Sequence, residues 1–104
     1  MRIEIITSRK DLMIRRLVLE PGEAMPWHTD PCRRFTVVVR GERLSIEFRD
    51  GAAPIAVALH PGMAEWDEPD PRVHRAVNTG SGIYEEIVTF YLEAPDTDPQ
   101  PVYD

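Results

Sequence analysis

Gly22-Glu-Ala-Met-Pro-Trp-His28-Thr-Asp30-Pro-Cys-Arg-Arg34-Phe-Thr-Val-Val-Val-Arg-Gly41 is the stretch on which the reading of this chain turns. It opens on Pro21-Gly22, a turn signal, and ends in a run rich in β-branched residues that stops at Gly41. In an extended segment alternate residues point to the same side. His28 and Asp30 therefore project together, and Arg34 continues that parity beyond Pro31.

The same style of sequence extends on both sides of this stretch. Upstream, residues 2–7 and 13–19 read as strands separated by the polar residues 8–11. Downstream, Leu44, Ile46 and Phe48 alternate with Ser45, Glu47 and Arg49, so this strand has one buried and one wet face. Asp50-Gly51 marks a turn, and residues 55–59, 73–78 and 84–92 complete a set of short strands. In the last of these, Tyr84, Glu86, Val88, Phe90 and Leu92 form the more apolar face, which points Glu86 inward. Ten prolines spread along the chain leave no room for helical periodicity. The expected architecture is all-β, a sandwich or barrel over residues 1–93. Residues 94–104 read as a Pro-rich tail, extended or loosely packed.

The chain has 104 residues, enough for one domain with a real core. Twelve Lys and Arg against eighteen Asp and Glu give a net charge of −6, which disfavours nucleic acid and anionic membrane as partners. The one cysteine, Cys32, allows no intrachain disulfide, and no apolar run resembles a signal peptide or a membrane span. The expectation is a soluble cytoplasmic protein. Cys32 stands beside Arg33 and Arg34, a setting that favours thiolate, although no motif supports a catalytic role for it.

Three histidines are present. His60 precedes Pro61-Gly62 and reads as a turn residue. His74 lies near the start of a strand with Asn78 on its face. Two imidazoles and a carboxylate, His28, His74 and Asp30, are the ligand set of a metal site with open coordination positions, suited to Fe, Mn, Ni or Zn. The bland alternatives are a surface turn capped by Asp30 and a hydrogen-bonded histidine at a barrel mouth.

The Gly22–Gly41 stretch resembles the first motif of the cupin family, which reads Gly, five residues, His-x-His, three or four residues, Glu, six residues, Gly. Both glycines and His28 fall in register. The segment from Gly62 to Asn78 is similar to the second motif, with Pro69 and His74-x3-Asn78 matching. The resemblance spans roughly residues 17–92 and implies a jelly-roll barrel, or double-stranded β-helix, with a metal or small-molecule site in its mouth. Asp30 stands where the family has a second metal histidine, Arg34 where it has a glutamate, and Pro71 where the second motif has a glycine. His28 and His74 carry over as ligands directly, and Asp30 as a substitute.

Arg34 divides the functional readings. A guanidinium about 5 Å from a cation costs on the order of 3 kcal/mol per unit charge at an effective dielectric near 20. Asp30, Glu86 and the acidic run Glu65, Asp67 and Glu68 are placed to compensate, or Arg34 turns its fork to a substrate carboxylate. The first reading is a metal-dependent oxygenase or isomerase acting on a small anionic substrate, chemistry the resemblance implies. The second is a metal-free cupin that binds or senses a small molecule, with Arg34 and Glu86 as anchors and His74 as general acid or base. In both, Trp27 and Trp66 are candidates for an aromatic wall. A purely regulatory module ranks below these, because this length holds no DNA-binding domain. The family habit also implies a homodimer, with residues 2–7 as the pairing strand.

Overall fold

The computed structural model describes residues 1–104 and contains nine strands and no helix. They are β1 (Arg2–Ser8), β2 (Leu12–Leu19), β3 (His28–Asp30), β4 (Arg33–Arg40), β5 (Arg43–Phe48), β6 (Ile55–Ala58), β7 (Ala64–Asp67), β8 (Asp70–Asn78) and β9 (Tyr84–Tyr91). One sheet runs β1-β2-β9-β4-β7 and the other β3-β8-β5-β6, with every neighbouring pair antiparallel. No helix is long and apolar enough to cross a membrane.

The alternation in the sequence decides which side chains meet between the sheets. Leu17 and Leu19 of β2, Val38 of β4, Leu44 of β5 and Tyr84 of β9 are buried together with Met25. Val57, Leu59, Met63 and Ala76 pack against them. Burying each such side chain contributes roughly 1.5–3 kcal/mol, which makes this cluster the main apolar support of the fold. On β9 the inward set is the expected one: Tyr84, Val88 and Phe90 are buried. Glu86 lies on the same face.

Two residues pin this packing. Asn78, at the end of β8, is buried and has its amide fully used: Nδ2 donates to the carbonyls of Leu19 and Gly82 at 3.0 and 2.9 Å, and Oδ1 accepts from the Gly80 amide at 3.0 Å. It thereby ties the end of β2 to the β8–β9 turn. Gly41 joins β4 to β5 at φ 154°, and a Cβ there would lie 2.8 Å from Cδ1 of Tyr84. Glycine at this position lets the connection close over the core.

The chain departs from the expected pattern in three places. His28–Asp30 is a strand in its own right, paired with β8 through His28 opposite His74 and Asp30 opposite Asp70. Ala64–Asp67 is a strand along β4, hidden in the sequence because Glu65 and Asp67 face a cavity and not an apolar core. The tail is extended but tied down. The Thr29 amide donates to the Pro101 carbonyl at 3.2 Å, and the Tyr103 amide to the Trp27 carbonyl at 2.8 Å.

Replacing Asn78 by Leu strands two carbonyls and an amide in the interior. The expected loss is about 3 kcal/mol of unfolding free energy in urea titrations. An unchanged midpoint would show that Asn78 does not hold the β2 end to the β8–β9 turn.

Candidate metal centre

Between the sheets, against the apolar core, lies a cavity of about 290 Å³. Its wall is apolar where Met25, Val38, Leu44 and Leu59 line it and polar where His28, Asp30, Arg34, His74 and Gln100 do. Parity within each strand accounts for the arrangement. β3 presents His28 and Asp30, β4 presents Arg34, Thr36 and Val38, and β8 presents Asp70, His74 and Ala76.

Asp30 is the hub. Its carboxylate is 1% exposed, with His74 Nε2 2.7 Å from Oδ2, Arg34 Nη1 3.1 Å from Oδ2, and His28 Nε2 3.7 Å from Oδ1. Gln100 Nε2 donates to Oδ1 at 2.8 Å. Burial alone would raise the Asp30 pKa. The hydrogen bond with His74, the Arg34 charge, the Gln100 amide and His28 outweigh it and hold the carboxyl below its ordinary value.

Both imidazoles are oriented by the main chain. His28 Nδ1 lies 2.8 Å from the Pro26 carbonyl, and His74 Nδ1 lies 2.6 Å from the Arg72 carbonyl. A carbonyl only accepts, so each Nδ1 carries the hydrogen and each neutral ring turns a bare Nε2 to the cavity. For His74 that bare nitrogen would face a carboxylate oxygen at 2.7 Å, lone pair against lone pair. A proton on Nε2 or a shared cation relieves the conflict. Without an ion, the hydrogen bond to Asp30 raises the His74 pKa, whereas desolvation lowers that of His28.

These atoms also pass a test for a metal. The donor atoms of His28, Asp30 and His74 lie within 4.8 Å of one another, and Asp30 Oδ2 is fully buried, 2.7 Å from an imidazole nitrogen that can itself act as a ligand. Two imidazole nitrogens and a carboxylate oxygen are borderline donors of the kind that Fe, Mn, Ni and Zn accept. The Nδ1–carbonyl contacts supply the outer support that metal-ligating histidines ordinarily have.

Arg34 forms an internal ion pair with Asp30. Besides Asp30 it meets Asp67 of β7, with Nη2 3.6 Å from Oδ2. Asp30, Glu65, Asp67, Asp70 and Glu86 all line the cavity against this single cation. Glu68, read from the sequence with Glu65 and Asp67, instead pairs with Arg33 on the outside. Glu86 accepts a hydrogen bond from the Tyr84 hydroxyl and has no other partner. Desolvation raises the pKa of its carboxyl.

The two tryptophans do not join the cavity. Trp27 and Trp66 each sit next to inward residues, so alternation turns them outward. Trp27 lies under the Arg75 guanidinium, and Trp66 is 58% exposed between Phe35 and Tyr91. Cys32 also differs from expectation: it is buried, and desolvation followed by the charges of Glu93, Asp30 and Asp98 pushes its thiol up, away from thiolate. His60 is exposed in the turn before Pro61, as expected. Asp70 and Gln100 were not legible as site residues. No spacing rule connects Gln100 to a carboxylate seventy residues earlier.

No family model matches the chain, and no curated protein matches it in sequence. Solved structures do match it. A cupin domain from Bordetella pertussis superposes with a TM-score of 0.77 at 14% identity, covering 88% of this chain and 92% of that one. An RmlC-like cupin with a double-stranded β-helix fold from Methanocaldococcus jannaschii gives 0.66 at 22% identity, over 90% and 79%. A DMSP lyase from Ruegeria pomeroyi gives 0.69 at 15% identity, over 97% of this chain and 50% of that one. At these identities the likeness concerns architecture alone. The chain has the cupin fold, an RmlC-like double-stranded β-helix of two antiparallel sheets.

Proposed function

We propose that the protein binds a divalent transition metal (Fe, Mn, Ni or Zn) through His28, Asp30 and His74, and acts through it on a small molecule held in the cavity. The observation that carries this reading is the 2.7 Å approach of His74 Nε2 to the buried Oδ2 of Asp30, in a ring whose other nitrogen already holds its hydrogen. The charge balance supports it. Five carboxyl groups line the cavity against one guanidinium, which attracts a cation and offsets the repulsion of Arg34.

When bound, the ion supplies Lewis acidity toward an oxygen-bearing substrate, as in an isomerase, or a redox centre, as in an oxygenase. This chain's own residues do the rest. Arg34 holds Asp30 in place from the opposite sheet. The apolar wall excludes water from the reacting group. Glu86 and Tyr84 offer a polar contact deeper in the cavity.

The metal-free reading, with Arg34 anchoring an anion, comes second. Arg34 is already ion-paired with Asp30 and Asp67, which weakens its attraction for an anion. A titration of metal-free protein with Mn(II) or Zn(II) tests the first reading. His74→Ala abolishes binding with the fold intact. Arg34→Glu, which restores an acid and removes a repelling charge, tightens binding roughly tenfold or more. Wild-type affinity in His74→Ala would overturn the ligand assignment.

The homodimer belongs to the same proposal. Ile3 and Ile5 of β1 share the face of their partners Leu17 and Arg15, yet they overhang the barrel at 49% and 56% exposure. A second copy laid along this strand covers them and the free edge. Replacing Ile3 and Ile5 together by Lys should then convert a dimer to a monomer in sedimentation equilibrium. A wild-type protein that sediments as a monomer would contradict the pairing.

A further inference from the structure

The two oxygens of Asp30 have unequal surroundings. Oδ1 accepts the Gln100 side-chain amide at 2.8 Å, whereas Oδ2 faces His74 Nε2 at 2.7 Å and Arg34 Nη1 at 3.1 Å. Gln100 is itself oriented, because Arg15 donates to its Oε1. A guanidinium only donates and a carboxylate only accepts, so the amide has one possible orientation between them. Arg15 is buried, and its guanidinium lies 4.9 Å from the Phe90 ring centroid, within the barrel.

The main chain brings Gln100 to this place. Residues 99–103 run along the open edge of β3, bonded through Thr29 to Pro101 and Tyr103 to Trp27, with a bridge between His28 and Val102. Asp98 Oδ1 accepts from the Gln100 main-chain N–H at 3.0 Å. Pro99 is buried. β3 has only three residues, and it is held between β8 on one side and this segment on the other.

We propose that Gln100 is a positioning residue for the metal-binding carboxylate, and that residues 99–103 form part of the centre. The inference rests on the metal reading above. With Oδ1 engaged, the carboxylate cannot rotate, and Oδ2 stays directed at His74 while Oδ1 stays on the His28 side. Without Gln100, the fork of Arg34 is free to take both oxygens at once, the geometry guanidinium and carboxylate prefer. That rotation withdraws the ligand atom from the imidazoles. The loss of such outer-shell partners typically weakens metal binding about 10–100-fold.

The test uses the full-length, metal-free protein and Co(II), whose visible absorption reports its coordination. Gln100→Met keeps the length and bulk of the side chain but removes both hydrogen bonds, and Gln100→Ala removes the side chain. We expect Kd for Co(II) to rise 10–100-fold in both, with an altered visible band. The metal-free melting temperature of Gln100→Met should stay within a few degrees of wild type. Wild-type Kd and spectrum in both variants would overturn the inference and leave the metal reading standing. Weakened binding accompanied by unfolding of metal-free Gln100→Met would also overturn it, in favour of a purely structural tail. A wild-type protein that takes up no Co(II) would overturn both.

Discussion

A carboxylate taken almost wholly out of water costs several kcal/mol unless charges and hydrogen bonds meet it there. Asp30 is such a group, and the mouth of the barrel is organised around meeting it. The partners come from separate parts of the chain: His28 from its own strand, His74 from β8, Arg34 from β4 in the facing sheet, and Gln100 from the tail. One buried charge thereby joins both sheets and the C-terminal segment. Removing the charged partner of such a buried ion pair ordinarily costs about 3–5 kcal/mol, because the remaining charge is left uncompensated, whereas the neutral Gln100 amide carries no such charge. The same convergence places two imidazole nitrogens beside a carboxylate oxygen, so what holds the mouth together is also what equips it for chemistry.

The apolar core and the polar site share one cavity. Leu17, Leu19, Met25, Val38, Leu44 and Tyr84 form the core, and Met25, Val38, Leu44 and Tyr84 also face the cavity. The Tyr84–Glu86 pair stands between the two regions, with the ring in the core and the hydroxyl and carboxyl on the cavity. Glu85, its neighbour, points the opposite way and is clamped by Arg16 and Arg40 on the outer face. Two adjacent glutamates thus receive opposite treatment, one paired with cations and one left to the phenol, purely from strand parity.

Parity also explains how much could be read from the sequence. The inward faces of β5 and β9, and the joint projection of His28, Asp30 and Arg34, followed from alternation alone, and the pairing of His28 with His74 agreed with the motif resemblance. β3 and β7 escaped because three or four residues give too short a period, and because the inward face of β7 is acidic. The tryptophans were placed by composition, as aromatic groups near the motifs, when their own parity sets them on the outside. Gln100 and Asp70 depend on contacts across the fold: Asp70 meets Asp30 through strand register, and Gln100 meets it through a tail that its prolines made look loose. Cys32 was judged by its charged neighbours in sequence, whereas the groups near it in space are Glu93, Asp30 and Asp98.

The claim that most depends on this geometry is that His28, Asp30 and His74 together hold a metal ion. Elemental analysis of untagged protein, purified without chelators and reloaded in turn with Fe(II), Mn(II), Ni(II) and Zn(II), tests it most directly. The account predicts close to one equivalent of a transition metal per chain, lost when Asp30 is replaced by Ala. Failure to retain any of the four ions would contradict it and leave the mouth of the barrel as a histidine–aspartate–arginine network without a metal.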